Sequence, residues 1–331
     1  MSHTLKLNIY KIALKTKFSS NDELISFRDF YENNFNNETK SLDKGELYKN
    51  FSFEYFKSFN NKFLINSSET KGFVPVSDKT LFSRSQNVFD GMLKGGITGI
   101  DMEVYSRDNP EASEGKIDKD KISTLPYYFL LWTPYDSNFG ILMVQSYTDN
   151  SLTAVFKEHL KDFFNKYNLT LVDNPHYPED VKNNFLKHSN IYRVSYIKTG
   201  LSETAKTKFN PVFASYKNLK IELTVSGLNE SPNDFLDRFR FKTGGFLGVN
   251  LSEIEILNNE DYETVIYYKD ENGKRTHAKI SNNLEITPNV ILDDSLKEDG
   301  TDYPDYKKIR TFCSGVLEQL KKELKYTPNA E

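Results

Sequence analysis

Two apolar runs, PYYFLLWT at residues 126–133 and GILMVQSY at 140–147, flank the turn-rich PYDSN of 134–138. Pro134, Asp136, Ser137 and Asn138 are turn formers, and each flanking run has strand length. The stretch therefore reads as an antiparallel hairpin. Its nearly continuous apolar character implies that both faces are covered. The hairpin Pro126–Tyr147 is thus expected at the core.

A helix is expected next, over 151–167, capped by Asn150 or Ser151. Leu152, Val155, Phe156, Leu160, Phe163, Phe164 and Tyr167 recur on one face at helical spacing. Leu169–Val172 begins a strand. Pro175 and Pro178 then bracket His176 and Tyr177 in a stretch that reads as a linker. It divides the chain into an N-terminal region, 1–173, and a C-terminal region, 179–331.

Upstream, Leu5–Leu14 reads as a strand. Asn21–Asn34 reads as a helix capped by Ser20 or Asn21, with Leu24, Ile25, Phe27 and Tyr31 facing inward, and Leu47–Phe59 as a further helix. Short strands are expected at Lys62–Asn66, Gly72–Val76 and Ile97–Tyr105. The polar stretch Asp108–Lys121 reads as an exposed loop.

Downstream, Val181–His188 and Pro232–Arg240 read as helices, and Ile191–Ile197, Leu219–Val225 and Ile254–Leu257 as strands. Thr264–Lys269 and Arg275–Ile280 form a hairpin over an Asn-Gly turn. A terminal helix covers 303–326, with Ile309, Phe312, Val316, Leu320 and Leu324 as its stripe. The fold class is α+β, with mixed or antiparallel sheets and flanking helices in two regions.

The 331 residues carry a net charge of −4, which gives no global attraction to polyanions, but the charge is unevenly spread. Lys182–Lys242 holds 11 basic and 5 acidic residues, and Thr243–Tyr306 holds 5 basic and 14 acidic ones. Such a reversal can place a cationic face on an acidic chain, although ordinary solvated surface explains it as well. The single cysteine, Cys313, sits in an apolar helical pattern and reads as a small buried hydrophobe in a reducing compartment. No leader-like segment opens the sequence, and no apolar run approaches the length of a membrane helix. A cytoplasmic location is the expectation.

Catalytic patterns are weak. Gly91–Gly99 is glycine-rich but lacks a P-loop ending or dinucleotide spacing, so it reads as a mobile loop. His277 and Lys279 share a strand face, as the nucleophile and phosphate ligand of a phospholipase-D-type nuclease would. There is no second His-x-Lys, and Glu285 falls one position late. Asp101 with Glu103, and Lys220 with Glu222, approach a metal-nuclease pattern without completing it. His159, His176 and His188 lack ligand-spaced partners. No cofactor or metal is expected, and binding is favoured over chemistry.

From Ile191 onward the order of features resembles the phage lambda Rex exclusion protein A family, the sensing half of two-protein abortive-infection systems. The features are the strand Ile191–Ile197, Lys198-Thr199-Gly200, the run from Lys206 to Phe213, the strand near Leu219–Val225, and the turn Asp270–Gly273. The loop around Ile286–Pro288 and the basic helix Tyr306–Lys325 complete the series. The Phe129–Val144 hairpin and the Thr153–Phe164 helix find rough counterparts, and the first part of the chain finds none.

The resemblance implies a non-catalytic homodimer that contacts DNA without strong sequence preference. It also implies work with a small membrane-protein effector encoded nearby. Lys198, Lys206, Lys208, Lys217, Arg238, Arg240, Lys242, Lys307, Lys308 and Arg310 are then the candidate DNA contacts, because phosphate binding needs cations on one face. The alternative is a cryptic metal-dependent or His/Lys nuclease using Asp101, Glu103 or His277 with Lys279.

Overall fold

The computed structural model describes residues 3–17, 23–36, 42–59, 61–216, 219–241, 263–271, 273, 275–280, 286–287 and 290–328. The chain forms two compact units. The first comprises Met1–His176 and Val290–Glu331, and the second Tyr177–Asn289.

The first unit runs β1 (Leu5–Thr16), β2 (Leu24–Ile25), α1 (Phe27–Phe35), α2 (Lys44–Lys57), β3 (Leu64–Ile65), β4 (Lys71–Ser83) and β5 (Val88–Ile97). It continues through β6 (Met102–Ser106), β7 (Asn109–Ile117), β8 (Ser123–Trp132), β9 (Gly140–Tyr147), α3 (Thr153–Asn165) and β10 (Leu169–Pro175). The main sheet has the order β10-β1-β9-β8-β5-β4-β3, with β2 also on β1, and its described pairings are antiparallel.

The second unit contributes α4 (Glu179–His188), β11 (Asn190–Lys198), α5 (Glu203–Phe209), β12 (Ile221–Glu230), α6 (Pro232–Phe241), β13 (Glu263–Lys269), β14 (Arg275–Ile280) and β15 (Ile286–Thr287). The chain then returns to the first unit as β16 (Val290–Ile291), paired with β1, and α7 (Tyr306–Glu323).

The β8–β9 hairpin lies mid-sheet, and every residue of β9 and all of Tyr127–Trp132 are buried. The continuous apolar run has a direct cause, since helices cover both faces. On one face Phe129 packs on Phe156 of α3, centroids 5.1 Å apart, amid rings from α1, α2 and α3 such as Phe30, Phe51, Tyr55 and Phe163. On the other face Tyr128 meets Tyr306 of α7, and Trp132 meets Tyr326 edge-on at 4.9 Å. The buried stripe of α7 is Ile309, Cys313, Leu317 and Leu320, with Phe312 and Val316 half-buried beside it.

Several expectations are corrected. The linker at 173–178 does not begin where expected, because Asp173, Asn174 and Pro175 extend β10 against Ile12, Lys11 and Tyr10 of β1. An edge strand tolerates a terminal proline. Asp173 anchors the stretch through ion pairs to Lys157 and to Lys161. The expected region 179–331 is divided, since β16 and α7 belong with the first unit, where α7 covers the sheet face that would otherwise expose Tyr128 and Trp132. The first helix begins later than expected, capped by Ser26, whose Oγ accepts from Asp29 N. The cap of α3 is Leu152, with no side-chain hydrogen bond, although Ser151 Oγ accepts from Thr153 N.

The Gly91–Gly99 stretch is not a loop. It lies largely within β5, where its glycines permit close backbone approach. A Cβ on Gly96 would sit 1.8 Å from Ser123 O, and one on Gly91 2.7 Å from Lys79 O. The polar stretch 109–117 is likewise the strand β7. It forms with β6 a separate two-stranded ribbon, exposed along almost its whole length, so alternation was invisible in sequence.

The second unit is built on one antiparallel sheet, β12-β11-β13-β14-β15. Phe185 of α4 and Phe235 and Leu236 of α6 cover Ile191, Val194, Tyr196, Ile266, Tyr268, Ala278 and Ile280. At the β13–β14 turn Gly273 takes φ +72° and donates to Asp270 O. The expected strand Ile254–Leu257 lies outside the described residues.

Candidate nucleic-acid interface

Strand alternation and one bulge build the site. With α4 and α6 on one face of the second unit's sheet, alternate residues of β11, β13 and β14 point to the other. The register of β11 shifts between Ile191 and Arg193, so Tyr192 and Arg193 both stand off the core face. One cross-strand row is then Arg193, Tyr267 and His277, and the next is Ser195, Val265 and Lys279. At the turn end, Lys269 pairs with Arg275.

The row is in contact. The Arg193 guanidinium lies 3.6 Å from the centroid of the Tyr267 ring, which is 6.0 Å from the His277 ring. Arg275 approaches the Tyr192 ring at 5.7 Å. Arg193 Nε is buried, with no hydrogen-bond partner among the described residues. A guanidinium stacked on a ring keeps its charge and its outward N–H donors, which suits phosphate oxygens.

Carboxylates on this face are matched to lysines. Glu222 meets Lys220 at 2.9 Å, and Glu263 meets Lys279 at 2.6 Å. Glu222 is held below the usual carboxylate range by its hydrogen bond from Lys220, with Ser195 and the Arg193 charge adding to it. Ser195 Oγ and Thr224 Oγ1 bond each other at 2.9 Å. Arg193 and Arg275 form no ion pair within the described residues, so their charge is available to an external anion.

The expected DNA contacts are divided between the two units, and some lie outside the described residues. Lys198 ends β11, half-buried, and Lys208 is exposed on α5. Lys206 is corrected to a structural role, being buried and donating Nζ to Tyr216 O at 2.8 Å. Lys217 and Lys242 lie outside the described residues, as do the side chains of Arg238 and Arg240 on α6. Lys307, Lys308 and Arg310 open α7 and so belong to the first unit. Arg310 is held in an ion pair with Asp90, and Lys308 Nζ reaches Lys297 O at 3.4 Å.

The two alternative sets of nuclease candidates belong to different units. Asp101, just before β6, accepts at Oδ1 from Lys119 N, and Glu103 of β6 accepts from Tyr105, both exposed in the first unit. His277 and Lys279 share a face in the second unit, as the alternation implied. Among the described residues, no group of three or more His, Cys, Asp or Glu side chains is gathered to hold a metal ion.

His159 of α3 is packed among Tyr55, Phe59 and Phe73, with Nε2 3.0 Å from Ser58 Oγ. Desolvation there, helped by Lys166, lowers its pKa to about 4. Burial pushes the Cys313 thiol far up, so it is inert as a nucleophile.

Sequence reasoning missed Arg193, Tyr267 and Arg275. The period-2 pattern of Arg275, His277 and Lys279 was readable, whereas the partnership with Arg193 depends on pairing across the sheet. Comparison with known proteins gave no matching family model, no matching curated protein and no matching solved structure. No helix among the described residues is long and apolar enough to cross a membrane.

Proposed function

We propose that this chain is a non-catalytic nucleic-acid-binding component of an anti-phage exclusion system, and that its second unit makes the contact. The supporting observation is the Arg193 guanidinium, stacked on Tyr267 and presented on the same face as Lys269 and Arg275. Phosphate contact of this kind is sequence-independent and salt-sensitive, because bound cations displace condensed counterions. The Rex-like order of features supplies the defence setting. It also supplies the homodimer, the membrane-protein effector and the cytoplasmic location as parts of the same proposal.

Salt-dependent fluorescence anisotropy on a labelled DNA tests the reading. The parent should bind with affinity that falls steeply as salt rises. An Arg193→Glu/Arg275→Glu variant should lose most of that binding and flatten the slope by about two contacts. Absence of binding at low salt would overturn the reading. Robust plasmid cleavage in Mg²⁺ or Mn²⁺ would replace it with the nuclease alternative.

A further inference from the structure

We infer that the polynucleotide taken by this sheet face is single-stranded, with bases stacking on the aromatic row; this rests on the reading of the face as a nucleic-acid interface. Arg193, Tyr267 and His277 lie side by side across three strands, and Tyr192 with Arg275 forms a second aromatic–cation pair next to them. The residues alternate as flat π-surfaces and guanidinium planes. Each nucleobase has two flat faces that a duplex hides inside its stack, so rings of this kind gain nothing from duplex DNA.

Duplex reading in the major groove needs a helix or a two-stranded ribbon that enters it. The row instead lies across a sheet at least three strands wide, so its rings cannot reach base edges there. A single strand laid over the sheet can place bases on the Arg193 plane, which Tyr267 backs, and on Tyr192, while its phosphates meet the outward N–H groups of Arg193 and Arg275. The Ser195 and Thr224 hydroxyls already bond each other, which leaves stacking and charge as the means of recognition.

The test compares three probes on the full chain: a mixed-sequence DNA single strand, an RNA single strand of the same sequence, and the DNA duplex. Either single strand should bind tighter than the duplex, and the tighter one identifies the sugar. Tyr267→Ala should weaken the preferred strand about tenfold or more, while Tyr267→Phe, which keeps the ring, retains binding. An unchanged melting temperature separates lost stacking from lost folding, and Tyr192→Ala provides a second variant if Tyr267→Ala unfolds. Duplex binding as tight as single-strand binding, or indifference to both alanine variants, overturns the inference and leaves the interface proposal standing. Absence of binding to all three probes overturns both.

Discussion

Asp90 of β5 accepts a hydrogen bond from Arg310 Nε of α7 at 2.8 Å, joining residues 220 positions apart in the chain. Asp90 is 2% exposed, and Tyr128 Oη donates to the same carboxylate oxygen at 3.2 Å. Burial raises the Asp90 pKa, and the hydrogen bond and charge of Arg310 oppose that rise.

Removing the cation leaves a buried charge without its counterion. Arg310→Ala should destabilise the first unit by about 2–3 kcal/mol at neutral pH. The deficit should shrink on acidification, since a protonated Asp90 needs no cation. Urea titrations of parent and variant at neutral and acid pH check this, and a pH-independent difference would contradict it.

His159 gives a second pH signature. Its folded pKa of about 4 lies below the ordinary 6.5, so the native state binds the proton less readily than the unfolded chain. Its contribution is complete above pH 6.5 and is lost as pH falls toward 4. The loss amounts to roughly 3 kcal/mol by linkage. His159→Gln should remove that part of the acid sensitivity, as read from melting temperature against pH.

The β8–β9 hairpin should behave as core. Leu130→Ala or Leu142→Ala, each at a position with at most 1% exposure, should cost about 2–5 kcal/mol through the cavity left behind. Melting temperatures equal to that of the parent would show the hairpin to be peripheral.

Glycine substitutions separate β5 from the ribbon. Gly96→Ala places a methyl 1.8 Å from Ser123 O and should destabilise by about 1–3 kcal/mol or more. Gly115→Ala meets nothing within 4 Å and should change stability by less than about 0.5 kcal/mol. Denaturant midpoints of the two variants provide the comparison.

Legibility followed how local the cause was. The hairpin at 126–147 was readable because burial on both faces writes itself as an unbroken apolar run. The 173–178 stretch was legible as a boundary, since the units part between His176 and Tyr177, but its start was misplaced because Pro175 signals a break wherever it occurs, whereas its tolerance here depends on β10 lying at the sheet edge. The Gly91–Gly99 stretch looked like a loop because glycine lacks a side chain in either case. Only the neighbouring backbone, Lys79 O at Gly91 and Ser123 O at Gly96, shows that the absence is a packing requirement.

At the candidate site, His277 and Lys279 sit two apart and their common face followed from alternation. The stacking of Arg193 on Tyr267 did not, because the β11 bulge changes the parity of every residue on one side of it. Lys206 shows the converse. Its charge suggested surface, but its ammonium is spent on the Tyr216 carbonyl.

The second unit leaves and re-enters the first beside a single strand. His176 N donates to Ile9 O as the chain departs, and on its return Val290 stands opposite Leu7. A ribosome therefore releases every residue of the second unit before the residues that complete the first. Until α7 emerges, the nascent first unit lacks the cover for Tyr128 and Trp132. A premature stop after Asn289 would therefore leave Tyr128 and Trp132 of the first unit uncovered.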